Sequence, residues 1–163
     1  MRQFPTSKLF LFIMIVILFT SCSTAKGPLF VQETISADAD PTLYIYRPSS
    51  SLLYVAKWEF VIDEDIVANL SNGTYAKLPI KPGKHEIISA GSPNIEQPPL
   101  RICFEAVKGK NTYIKYEMRT KHGYIMSLLD RPKFNNILSE VEEGQALAEL
   151  KEIHATTLPQ RKY

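Results

Sequence analysis

Few side chains in this chain are spaced for chemistry. The histidines stand at His85, His122 and His154, and no two share the i, i+4 or two-residue spacing that metal ligands favour. No Gly-x-Ser-x-Gly elbow and no glycine-rich phosphate loop occurs. Asp63-Glu-Asp65 gathers three carboxylates but lacks the glycine and the distal glutamate of an EF-hand loop, so it reads as a solvated hairpin tip. Of the two cysteines, Cys103 sits within the apolar run Leu100-Arg-Ile-Cys-Phe-Glu-Ala-Val107. A buried, inert thiol is expected there, because a reactive one needs a basic, partly exposed neighbourhood. These patterns predict no catalytic residue, no metal site and no cofactor: a protein that is not an enzyme.

The aromatic residues offer a different chemistry. Tyr44 with Tyr46, and Trp58 with Phe60, lie on predicted strands where alternate side chains share a face. At least one pair is expected to fill the core. The functional alternative is an aromatic platform for glycan or peptide, with Tyr46, Trp58 and the hydrogen-bonding fork of Arg47 as its contact residues.

These residues must be positioned by short strands. Leu43–Tyr46, Trp58–Ile62, Ile66–Leu70, Thr74–Ile80, His85–Ile88, Leu100–Val107, Tyr113–Met118 and Tyr124–Leu129 are rich in β-branched and aromatic residues. Turn chemistry separates them: Asn72-Gly73 permits positive φ, Pro82-Gly83 suits a type II turn, and Lys108-Gly-Lys-Asn111 reads as a hairpin. The spacing predicts a mostly β fold, a small antiparallel β-sandwich of about seven to eight strands. Past Pro132, Ile137, Leu138, Val141, Leu147, Leu150 and Ile153 approach helical spacing, with Ser139 and Glu142 as a capping box. Gly144 weakens that helix by about 1 kcal/mol and favours a start beyond it. The expected organisation is a leader over 1–21, a flexible tether over 22–41, a β-sandwich over 42–130, and a C-terminal helix and frayed tail over 131–163. A tether of about 18 residues would reach roughly 20–25 Å, with a short edge strand near Leu29–Val31.

The leader begins with Arg2 and Lys8 and continues as the apolar run Leu9–Phe19. A run of about 11 residues falls well short of the roughly 20 needed to span hydrocarbon, and it fits a cleaved secretory signal. Its end, Phe19-Thr-Ser-Cys22-Ser23, resembles the lipobox of bacterial lipoproteins, with Phe19 where that family usually has Leu. The resemblance implies lipidation of Cys22, which becomes the mature N-terminus, and a membrane partner held through acyl chains. Because each buried CH₂ contributes about 0.8 kcal/mol, two or three chains would make that attachment effectively permanent. Ser23 stands where an inner-membrane retention signal would have Asp, which favours the periplasmic face of the outer membrane. The competing reading is an uncleaved signal anchor with an incidental cysteine. The 142 or so mature residues, about the usual domain size, suffice for one core. The chain's 19 basic and 17 acidic residues balance once the two leader cations are removed. No nucleic acid partner is expected, since such binders concentrate basic charge on one face.

Tyr44-Ile-Tyr-Arg-Pro48, Trp58 opening an alternating strand, Leu70-Ser-Asn-Gly-Thr-Tyr75 and Pro82-Gly-Lys-His85 occur in that order. Together they resemble DUF2846, a domain of unknown function of bacterial lipoproteins, over most of Thr42–Tyr116. The segment is also similar to PEGA-type surface domains, whose short strands present a Pro-Gly turn. The resemblance implies a β fold in the envelope and brings no activity with it. Three readings compete: a non-enzymatic module binding an envelope protein or a cell-wall polymer such as peptidoglycan, a structural or stress-response lipoprotein without a discrete ligand, and an envelope-polymer hydrolase.

Overall fold

The computed structural model describes residues 27–50, 56–92, 98–120 and 134–156. Among these residues nine strands and one helix follow in order: β1 (Thr42–Arg47), β2 (Trp58–Ile62), β3 (Asp65–Leu70), β4 (Thr74–Pro79), β5 (Gly83–Gly91), β6 (Leu100–Ala106), β7 (Asn111–Thr120), β8 (Phe134–Glu140), α1 (Glu143–Leu150) and β9 (His154–Ala155). They form a small β-sandwich with sheets ordered β8-β7-β1-β4-β9 and β3-β2-β5-β6, and the helix near the C-terminus. The pairing is not wholly antiparallel, as β1 runs parallel to β7 and β4 parallel to β9.

The sheets enclose the main core. Leu43, Ile45, Trp58, Phe60, Leu70, Ile87, Ile114 and Tyr116 are buried there. A second cluster lies on the outer face of the five-stranded sheet. It packs Tyr44, Tyr46, Tyr75 and Tyr113 under Ala146 and Leu150 of α1, with Ile153 and Phe30 at its border. Ala146 and Leu150 stand four residues apart, hence on one helical stripe. β1 is therefore covered on both sides, and both aromatic pairs, not just one, are structural.

Several turns reverse the chain without making hairpins. Those at Asn72-Gly73, Pro82-Gly83 and Lys108-Gly109 each carry the chain from one sheet to the other. The tight β2–β3 hairpin instead turns on Asp63 (φ 47°) and Glu64 (φ 77°), two non-glycine residues at positive φ. The C-terminal region is also corrected. Residues 134–140, where Ile137 and Leu138 were counted into the helical spacing, form β8 against β7, and Leu138 faces the inter-sheet core by strand alternation. Ser139 lies within that strand, and α1 begins at Glu143 behind Glu142 with no side-chain cap, taking Gly144 into its first turn. Ala155, expected to be frayed, pairs with Tyr75. The expected strand Tyr124–Leu129, His122 and the whole leader with Cys22 lie outside the described residues.

The expectation of a flexible coil up to residue 41 fails for its described part. Residues 27–41 form a strap across the sheet. Phe30 N donates to Ile153 O (3.1 Å), Ala155 N to Pro28 O (2.8 Å), and Gly109 N to Ala39 O (2.9 Å). The Phe30 ring meets Tyr44 and Tyr75 edge-on at 5.6 and 5.5 Å between centroids. Gly109 is required where the strap passes: it has φ 69°, and a Cβ there would stand 2.5 Å from the carbonyl oxygen of Ala37. Of the apolar run Leu29-Phe30-Val31, Phe30 is the residue that packs against the tyrosine cluster. Phe30→Ala should lower stability by about 2 kcal/mol, less than for a fully buried aromatic. A thermal melt falling by several degrees is expected; an unchanged melt would show that the strap is not held.

Candidate functional site

Arg47 closes β1 on the core-facing side, in register with Leu43 and Ile45, and its head reaches the end of the inter-sheet core. Its Nη1 donates to Ala56 O at 2.6 Å. Burial, opposed by the nearby Tyr116 hydroxyl, pulls the guanidinium down to about 10, so it stays protonated at neutral pH. Trp58 and Tyr116 follow it inward, their rings 5.0 Å apart. The Trp58 Nε1–H and the Tyr116 hydroxyl are buried without hydrogen-bond partners. Burial drives the Tyr116 hydroxyl far above its ordinary range, so it remains a neutral donor.

A cleft of about 190 Å³ opens beside this group, lined by Arg47, Ser49, Ser50, Lys115, Tyr116 and Met118, with Pro48 and Glu117 at its wall. Lys115 sits 3.4 Å from Glu117 and 2.9 Å from Glu149, so its charge is already matched. A second, more polar cleft of about 360 Å³ lies between the strap and β1. Glu33, Ser36, Asp40, Thr42 and Asn111 offer it carboxylates, hydroxyls and an amide, with Tyr44 as part of its wall. Such a lining suits hydrogen bonding to a hydroxyl-rich or amide-rich chain.

The three expected contact residues do not form an exposed platform. Tyr46, Trp58 and Arg47 are 0, 1 and 2 % exposed. Trp58 and Arg47 point between the two sheets, whereas α1 covers Tyr46, whose hydroxyl donates to Glu149 Oε2 at 2.9 Å. Glu149 also accepts from Lys115 (2.9 Å) and Gln145 (3.1 Å). Burial raises its pKa, but the Gln145, Lys115 and Tyr46 donors outweigh that and hold it below the usual carboxylate range. The Tyr113 hydroxyl similarly donates to Glu143 at 3.2 Å. Nothing in the spacing of 143 and 149 marked them as partners of strand tyrosines 30 and 103 residues away.

Cys103 is corrected as well. It is exposed, because β6 turns Leu100, Ile102, Phe104 and Ala106 inward and Arg101, Cys103 and Glu105 outward. The described histidines hold structure. His154 Nδ1 meets Gly27 O at 2.8 Å, and His85 lies between Asp63 Oδ2 (2.5 Å) and Lys81 O (2.8 Å), stacked on Phe104. Asp63 also accepts from the Glu86 amide, which helps hold the positive-φ turn.

Two outcomes follow from these groups. Tyr116→Phe deletes a buried hydroxyl that has no partner, so the folded state should gain about 1 kcal/mol. A melting temperature that falls would mean the hydroxyl is satisfied in solution. For the second, burial pushes His85 down, but the Asp63 and Lys81 acceptors outweigh it and its pKa rises above 6.5. The His85 hydrogen bond, with the Glu86 amide, lowers Asp63 below 3.8. The histidine's contribution is complete below its unfolded pKa and is lost as pH rises through the folded one. The carboxylate's is complete above its unfolded pKa and is lost on acidification. The pair therefore stabilises most between about pH 4 and 6.5, weakly because Asp63 is half exposed. Urea midpoints should fall between pH 5.5 and 8.5 more in the native protein than in Asp63→Asn, and equal falls would remove the pair from the account.

Compared as a whole, the chain matches no protein-family model, no curated protein and no solved structure.

Proposed function

We propose that this chain is a bacterial envelope lipoprotein of the kind its motifs resemble, DUF2846, anchored through lipid on Cys22 and facing the periplasm from the outer membrane. Its folded part acts as a non-enzymatic binding module for an envelope protein or a cell-wall polymer. The observation that carries the reading is the placement of Phe19-Thr-Ser-Cys22 directly ahead of a β-sandwich whose described chain begins at Gly27. Binding is supported by the two clefts, above all the polar one between strap and β1, and no longer by an aromatic platform. The structural employment of His85 and His154 supports a non-catalytic role. One observation favours a second reading, a structural lipoprotein without a discrete ligand: the aromatic residues that a binding face would display are spent in the two cores.

Intact mass and membrane fractionation of the native protein beside Cys22→Ala test the anchor. A mature chain starting at Cys22 with acyl mass, released from membranes by the substitution, is expected. An unmodified cysteine or unchanged attachment would return the signal anchor to first place. Cosedimentation with isolated peptidoglycan, compared between the native protein and Asp40→Ala with Asn111→Ala, separates the two roles. Loss of binding in the variant supports the module, whereas no binding by either protein, together with no envelope protein crosslinked at these positions, supports the structural role.

A further inference from the structure

The strap alternates in a way that its own packing does not explain. Phe30 inserts between Tyr44 and Tyr75, while Leu29 and Val31, on the opposite side, remain 51 and 72 % exposed. These two aliphatic side chains are held on fixed backbone. Leu29 bridges His154, Pro28 O accepts from Ala155 N, Phe30 N donates to Ile153 O, and Gly27 O meets the His154 ring. Gly27 leaves no room to slip, since a Cβ there would stand 1.9 Å from the carbonyl oxygen of Ala155.

We propose that Leu29 and Val31 form a membrane-contact edge that sits in the lipid headgroup layer and fixes the domain against the bilayer. The inference rests on lipidation of Cys22, and chain length supplies the occupant. Cys22 and Gly27 are separated by five residue steps, which span at most about 18 Å when fully extended. An acylated Cys22 at the bilayer surface therefore confines the start of the strap to that distance, in place of the longer reach expected of a tether running to residue 41. Near that point the strap carries two exposed aliphatic side chains, Leu29 and Val31, on the side away from Phe30's contacts. A weak contact suffices, because the anchor makes docking intramolecular and its effective concentration high. Aliphatic side chains at the headgroup boundary lose contact with water there as they would in any apolar burial. Free in solution, the same two side chains would remain hydrated.

The test uses the full-length acylated protein in vesicles of phosphatidylethanolamine and phosphatidylglycerol, with and without brominated acyl chains. The native protein sets the baseline, because its single tryptophan, Trp58, is buried in the core. Val31→Trp and, separately, Leu29→Trp alter exposed positions and leave the core intact. Brominated lipid should cut the added emission of each variant at least about twofold, while native emission stays unchanged. Flotation and intact mass are read on the same samples. An acylated, floating variant with no quenching beyond the native baseline overturns the membrane edge and leaves the lipoprotein reading standing. The same unquenched result with crosslinking between copies at position 31 assigns the edge to a second copy of the chain and also overturns the proposal. A chain without acyl mass that fails to float overturns both.

Discussion

Burial of Thr42–Arg47 on both faces is the constraint on which the remaining architecture depends. β1 lies in the middle of its sheet, parallel to β7 and antiparallel to β4, and Leu43 through Arg47 are all excluded from solvent. A strand in that position cannot show the polar and apolar alternation of a one-sided sheet, and it reads as a nearly continuous apolar run. Its odd-numbered side chains need a second sheet, which β2, β5 and their neighbours supply. Its even-numbered tyrosines need a second cover, which α1 and the strap supply. The helix and the N-terminal segment are thus parts of the core and not appendages to it.

The two sides of β1 handle their polar atoms differently. On the helix side, the Tyr46 and Tyr113 hydroxyls reach Glu149 and Glu143 at the edge of solvent, where carboxylates cost little to hold. On the sandwich side, Arg47 brings a charge to the end of the core beside Trp58 and Tyr116, whose polar atoms are left over. Native interiors seldom tolerate such remainders. That corner, with its adjoining cleft, is where packing and a binding role compete for the same groups.

Much of the strand plan was legible because period-two alternation and turn residues are local signals. β2 was read at its observed limits, and β1, β3, β4 and β6 to within a residue or so. Sheet membership was not legible. Asn72-Gly73 and Lys108-Gly109 announce a reversal, but whether the chain returns to its own sheet depends on which face has a partner across the core. Cys103 was misread for a related reason: an apolar run does not reveal which parity faces inward, and a shift by one position exchanges the faces. Tyr46, Trp58 and Arg47 were expected at a surface, yet Trp58 and Arg47 face the second sheet and Tyr46 lies under a helix far away in sequence. Val141 and Leu147 resembled one helix with Ile137 because strand and helix periods coincide over so short a stretch. Phe30 shares a short apolar run with Leu29 and Val31, and only its landing site on Tyr44 and Tyr75 tells which of the three is the core residue.

The stitch joining Gly27, Pro28 and Leu29 to His154 and Ala155 has a consequence for time as well as shape. It closes a loop that contains nearly the whole domain, and contacts so distant in sequence form slowly because loop closure must precede them. A chain emerging from its N-terminus presents Phe30 early, but the Ile153 that receives its amide arrives among the last described residues. The seam of the strap with Ile153–Ala155 therefore cannot close before the whole described chain has been made, whereas its ring contacts to Tyr44 and Tyr75 need only the first half.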